Sequence, residues 1–228
     1  MVNILSGFHS IKKHIEKLAV KFKRDPKEIT LLAVSKKRSL EEIQALYEEG
    51  CRDFGENRVF ESLEKASKMP EDISWHFIGN IQSKKVPKIV GKFHLIHSVD
   101  SLKLAKFISM HSLKIGVETN LLLQVNSSGE ESKQGFESEN LFELFNEMIQ
   151  IKGIKIKGLM TMAPLTEDKI RIRQTFSKLR ELKENLERDF PIEKMHLSMG
   201  MSNDYDIAIE EGATIVRIGS AIFDNPES

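Results

Sequence analysis

The chain has 228 residues and 40% hydrophobic content, enough for one sizeable core but not for a second large domain beside a barrel, so residues 1–228 are expected to form a single domain. Its 34 basic residues balance 34 acidic ones, which argues against nucleic-acid or anionic-membrane binding and favours a small ligand. Cys51 is the single cysteine, which excludes an intrachain disulfide; with no long apolar run for secretion or membrane spanning, the expected location is the reducing cytoplasm.

In chain order, residues 4–23 read as a helix, and apolar runs read as eight strands over 30–36, 52–55, 73–78, 93–99, 120–126, 154–160, 195–199 and 214–218. Helix-period segments lie between them. Leu40, Ile43, Leu46 and Tyr47 share one helical face, with Ser39 and Glu42 spaced as a capping box and Gly50 as a stop signal. Two apolar stripes follow, one over residues 141–149 and the other through Ile172, Phe176, Leu179, Leu182 and Leu186, and both face a core. Strands alternating with helices imply right-handed crossovers and a parallel sheet, and eight strands are the number that closes a (β/α)₈ barrel. An open doubly wound sheet is the alternative. Ten residues follow Ile218, too few for a full closing helix, so the leading helix is expected to pack where a final one would close the ring.

Lys36 ends the β-prone run 29–35, and the carboxyl end of a strand is where α/β folds place chemistry. A lysine there suits imine formation with an aldehyde or carbonyl ligand. Strand alternation puts Lys36 on the face of Val34 and Leu32, hence inward, and Lys37 on the face of Ala33 and Ser35. Lys37 and Arg38 are then candidates to lower the pKa of Lys36; three solvated basic residues are the structural alternative.

Closure of the ring makes the first and eighth strands neighbours, bringing Arg217-Ile218-Gly219-Ser220 beside Lys36. Gly200-Met201-Ser202-Asn203 leads into a helical stretch over 204–211, which Ser202 or Asn203 is expected to cap while nearby N–H groups face an anion. Gly219 and the Ser220 hydroxyl add donors for the same phosphate. Either loop alone is explained by ordinary capping and turn chemistry; both together beside a strand-end lysine favour a phosphate site. His76 fits a hydrogen-bonded structural histidine, and no side-chain set has convincing metal spacing. Lys84, Lys85, Lys88 and Lys92 look like a solvated helix face, with an anionic ligand or partner as the alternative. No complete Walker or Rossmann fingerprint occurs.

Six ordered motifs carry a resemblance over about residues 30–223: Leu32-Ala33-Val34-Ser35-Lys36, Phe54-Gly55-Glu56-Asn57, Trp75-His76-Phe77-Ile78-Gly79, Gly158-Leu159-Met160-Thr161-Met162, Leu197-Ser198-Met199-Gly200-Met201-Ser202 and Val216-Arg217-Ile218-Gly219-Ser220-Ala221-Ile222-Phe223. Val125-Asn126 with Lys133-Gln134-Gly135-Phe136 adds a further patch. The chain resembles the pyridoxal phosphate homeostasis proteins, or YggS-like proteins, which are similar to the amino-terminal barrel of alanine racemases. Arg58, Phe60, Asn80 and Lys84 depart from the family pattern.

The resemblance implies a single TIM-type barrel with an extra amino-terminal helix, and pyridoxal 5′-phosphate (PLP) as cofactor. It also implies an imine at Lys36, with Asn57 beside the cofactor ring, Arg217 near the pyridine nitrogen or nearby polar atoms, and Ser202, Gly219 and Ser220 on the phosphate. A guanidinium near the pyridine nitrogen weakens the ring as an electron sink. The tyrosine that racemases supply from a partner's carboxyl-terminal domain has no counterpart in a chain ending at Ser228; Tyr47 reads as helix packing and Tyr205 has no assigned role. The expectation is a monomeric, non-catalytic protein that buffers or delivers PLP, affects amino-acid and keto-acid metabolism, and has PLP-dependent enzymes as recipients. A weak amino-acid racemase is the alternative, and an adaptor using the lysine-rich face near Lys84 is a third.

Overall fold

The computed structural model describes residues 2–130 and 134–224. Strands β1 (Thr30–Val34), β2 (Asp53–Glu56), β3 (Ser74–Phe77), β4 (Leu95–Val99), β5 (Thr119–Gln124), β6 (Ile154–Met160), β7 (His196–Ser198) and β8 (Ile215–Ile218) run parallel and close in sequence order into a barrel. The closing pair is β1 with β8, in the register Leu32 to Arg217 and Ala33 to Ile218. This is the expected (β/α)₈ barrel, not the open sheet.

Crossovers run through α2 (Leu40–Glu48), α3 (Val59–Ala66), α4 (Val86–Ile89), α5 (Leu102–Lys114), α6 (Ser138–Ile149), α7 (Lys169–Asp189) and α8 (Tyr205–Glu210). Ser39 and Glu42 form the capping box that starts α2, and Gly50 follows it with φ +86°. Among the described residues the chain after β8 makes one helical turn, α9 (Ser220–Phe223), and α1 (Val2–Lys21) packs against both α9 and α8. Ile4, Phe8, Ile11, Ile15 and Leu18 bury one stripe of α1, as a helical period requires. Gly7 permits the close approach: a Cβ there would lie 2.5 Å from the Ile222 carbonyl oxygen. The leading helix thus fills the place of a closing one.

Two apolar regions result. The larger lies between sheet and helices and includes Phe54, Phe77, Ile108, Phe145 and Phe176; the smaller fills part of the barrel interior with Leu32, Leu95, Leu122, Met160 and Ile215. The remainder of the interior is polar, with His76, His97, Ser198 and Arg217 all buried. A barrel packed only for stability fills these positions with branched apolar residues. No helix among the described residues is long and apolar enough to cross a membrane.

Candidate functional site

Strand β1 ends at Val34, two residues earlier than its sequence suggests, and Lys36 lies on a turn closed by the Arg38 N–H donating to the Ser35 carbonyl at 3.0 Å. Lys37 occupies the left-handed region at φ +63°. Alternation stops where the chain leaves the sheet, so Lys36 stands exposed at the mouth of the barrel rather than inside it. Arg38 also departs from expectation. Its guanidinium pairs with Asp224 and Glu42 and lies 4.9 Å from the centre of the Phe223 ring, which ties it to α2 and α9 rather than to Lys36.

Beneath this turn lies a buried ion cluster that has no local signature in the sequence. Lys65 Nζ, from α3, donates to Glu56 Oε1 at 2.8 Å and to the Ser35 carbonyl at 2.9 Å, and the Ser35 hydroxyl donates to the same Glu56 oxygen at 2.7 Å. Lys65 also pairs with Glu61 at 3.2 Å, and Glu61 accepts the Lys37 N–H at 3.2 Å. Burial works against the charge of Glu61, yet Lys65 and the Lys37 N–H hold its carboxyl below the usual carboxylate range. The backbone on both sides of Lys36 is therefore tied to α3. A lysine at the last turn of an amphipathic helix gives no sign in sequence that it turns inward.

Arg217 projects from β8 into the barrel and is buried. Its Nη1 donates to the Ser198 carbonyl at 2.7 Å and to Ser198 Oγ at 2.6 Å, and its Nη2 donates to the Thr161 carbonyl at 2.9 Å. Burial lowers its pKa to about 10, opposed by the charge of Asp204, and the side chain stays cationic at neutral pH.

The β1 and β8 register places Gly219 against Val34; a Cβ at Gly219 would lie 3.4 Å from Val34 Cβ. Ser202 joins this group, its hydroxyl accepting the Ala221 N–H at 3.3 Å. Ser202, Gly219 and Ser220 are thus brought together at the start of α9, on the strand exit next to Lys36. The expected capping of the helix over 204–211 is corrected: Asp204 is the N-cap residue of α8, and its carboxylate accepts the Met201 N–H at 2.6 Å. A carboxylate at that end repels an anion, which makes the start of α8 a poor place for a phosphate. Asn57 follows β2 and is exposed at the mouth, where Gly79 packs tightly on its backbone; a Cβ on Gly79 would lie 2.3 Å from the Asn57 carbonyl oxygen.

Residues 9–226 match the family model described as alanine racemase, N-terminal domain. The pyridoxal phosphate homeostasis protein of Aquifex aeolicus is 41% identical over 223 residues, covering 97% of this chain and 98% of its own, and that of Pseudomonas aeruginosa is 38% identical over 224 residues, covering 98% and 96%. The chain belongs to the pyridoxal phosphate homeostasis protein family. Among solved structures, PipY of Synechococcus elongatus with PLP bound is 34% identical with a TM-score of 0.80, covering 92% of this chain and 99% of PipY. Alanine racemase of Clostridium difficile, at 14% identity and a TM-score of 0.75, shares the fold across 98% of this chain and 56% of its own.

Within this homeostasis-family chain the remaining sequence expectations find their places. His76 is buried and hydrogen-bonded to His97 and Asp53. Tyr205 bonds His14 of α1, and Tyr47 bonds Asp72, so both tyrosine hydroxyls are engaged outside the barrel. Lys85 and Lys88 flank the exposed Phe60 ring, 6.0 and 4.1 Å from its centre, and Lys84 is exposed beside them. Lys133 of the motif 133–136 lies outside the described residues, while Phe136 bridges to Val125. Among the described residues no group of three or more His, Cys, Asp or Glu side chains is placed to hold a metal ion.

Proposed function

We propose that this protein holds pyridoxal 5′-phosphate at the carboxyl-terminal mouth of the barrel and acts in cytoplasmic PLP homeostasis, buffering or delivering the cofactor as a monomer without turnover of its own. The observation that carries this reading is the donor set: a strand-end amine, Lys36, beside a hydroxyl and backbone group at Ser202, Gly219 and Ser220, with the enclosed cation of Arg217 below. That set fits an anionic aldehyde. When bound, PLP supplies an aldehyde that condenses with a lysine amine with loss of water, together with a phosphate dianion.

Each residue has a separable task. Lys36 provides the amine from an exposed turn where it is free to exchange with solvent. Ser202, Gly219 and Ser220 would provide neutral donors to the phosphate, and Asn57 would border the ring. Arg217 would approach the ring nitrogen or nearby polar atoms; a permanent cation beside that nitrogen would oppose its protonation and so disfavour carbanion chemistry. The placement of the two tyrosines supports the carrier reading, because neither hydroxyl stands at the mouth to serve as a second proton-transfer group. PLP-dependent enzymes are the recipients in this reading.

The test is functional. Protein loaded with PLP, incubated with an apo PLP-dependent enzyme, is expected to restore that enzyme's activity, and a panel of single-enantiomer amino acids is expected to keep its configuration. Enantiomer turnover that disappears in Lys36→Ala would establish the racemase instead.

A further inference from the structure

A row of polar side chains crosses the barrel interior from its amino-terminal end to Arg217. Asp53 Oδ1 lies 3.1 Å from His76 Nε2, His76 Nδ1 lies 2.9 Å from His97 Nε2, and His97 Nδ1 lies 2.8 Å from Ser198 Oγ, the atom that accepts from Arg217 Nη1. These residues come from β2, β3, β4, β7 and β8, so the row exists only because the sheet closes.

The chemistry of the groups gives the row a direction. His97 is completely enclosed, and burial followed by the charges of His76 and Arg217 holds its pKa well below the ordinary imidazole value. It is neutral at physiological pH and carries one N–H. Ser198 Oγ already accepts from Arg217, so its own hydrogen goes to His97 Nδ1. The His97 proton then sits on Nε2 and is donated to His76 Nδ1, and His76 donates from Nε2 to the Asp53 carboxylate. Every bond points away from Arg217 and the row ends on an anion. With the opposite polarity, Ser198 Oγ would accept from both Arg217 and His97, leaving its hydrogen without either partner. His76 would then present a lone pair to Asp53 unless it took up a second proton. Around this row the His94 ring lies tilted against His76 at 5.4 Å between ring centres, His196 and Lys157 lie at the same end of the barrel, and Asp204 acts on Arg217 from the other.

We propose that Asp53, His76 and His97 are positioning residues that fix the hydrogen-bond polarity at Ser198 and so set how strongly Arg217 donates to the ring nitrogen of the bound cofactor. The consequence for the cofactor rests on the PLP reading above; the polarity of the row does not. Arg217 makes none of its hydrogen bonds to a carboxylate, and its nearest polar contacts are neutral. Asp204 offsets this cation through space, and polarisation of the row toward Asp53 adds a second, hydrogen-bonded route to an anion, as cooperative chains do in a low-dielectric interior.

Two measurements decide it. Nitrogen-15 NMR of the full chain labelled at histidine is expected to show His97 neutral with its proton on Nε2; a proton on Nδ1 overturns the proposed polarity, whatever the cofactor does. For the cofactor, wild type, Asp53→Asn and His97→Gln are loaded with PLP, reduced with borohydride and mapped to confirm the adduct on Lys36. Before reduction, both variants are expected to change the ratio of the near-ultraviolet and visible cofactor bands by about twofold or more, since Asp53→Asn removes the anion that ends the row and His97→Gln, neutral for neutral, interrupts the row between Asp53 and Ser198. Tyr47→Phe, whose hydroxyl bonds Asp72 outside the barrel, is expected to leave that ratio alone. Unchanged spectra in Asp53→Asn and His97→Gln, with the Lys36 adduct retained, overturn the tuning role. An unsubstituted protein that forms no adduct overturns the PLP reading, while the NMR result still stands on its own.

Discussion

Lys65→Met is expected to destabilise the protein by about 3–5 kcal/mol, the cost of removing one partner of a buried ion pair. Glu56 has 0% relative exposure, and its Oε2 already lacks a hydrogen-bond partner among the described residues. Without Lys65 the Glu56 carboxylate keeps only the Ser35 hydroxyl, and the Ser35 carbonyl loses its ammonium donor. Glu56→Gln is expected to cost less, because Lys65 retains Glu61 at 3.2 Å as a counter-charge. The double variant Glu56→Gln with Lys65→Met removes both charges, so it should recover at least about 2 kcal/mol relative to the sum of the singles, at the upper end of coupling energies within one network. Urea unfolding of the four proteins, with midpoint and slope fitted for each, measures this cycle. A cost below about 1 kcal/mol for Lys65→Met, or singles that add within about 0.5 kcal/mol, would refute the view that this pair clamps the Lys36 turn.

Three further outcomes follow from the same geometry. Gly79→Ala drives a Cβ into the Asn57 carbonyl oxygen, so a loss of about 1–3 kcal/mol in thermal or urea unfolding is expected, with weaker PLP binding as Asn57 shifts. Ser202→Ala removes the acceptor of the Ala221 N–H and should cost about 1 kcal/mol while raising the dissociation constant for PLP in a fluorescence titration. His97 has a lowered pKa in the folded chain, so the unfolded chain binds the extra proton first: stability is full above about pH 6.5 and falls as pH drops below it, by up to about 1.4 kcal/mol per unit for this one group. His94 and His196 shift the same way through burial and add to the slope, which thermal melts between pH 7.5 and 5.5 would record.

What the sequence disclosed was set by local periodicity and by spacing along the chain. The strand-helix alternation predicts the barrel, and Ser39 with Glu42 predicts the start of α2, because both signals lie within a few residues of each other. The helical period of α1 is legible in its apolar residues, but its docking on α9 depends on Gly7, which gives no such signal in sequence. Lys36 illustrates the limit. Alternation identifies its face only while the strand continues, and the turn that ends β1 at Val34 is held by Lys65 from α3, a contact with no local signature. Ser202 has the same character: its place in the sequence suggests a cap for α8, but the closing of the ring carries it to Ala221 of α9. The polar row through His97 and Ser198 joins five strands, and each member taken singly looks like an ordinary buried polar residue in a β segment.

In the proposed function the exposed amine of Lys36 anchors PLP at the mouth of this barrel. Purified protein titrated with PLP, reduced with borohydride and digested for peptide mass mapping tests it most directly. A saturable visible band and a phosphopyridoxyl adduct on the peptide carrying Lys36, both lost in Lys36→Ala, are the expected result. An adduct on Lys37 instead, or neither band nor adduct at saturating PLP, would contradict it.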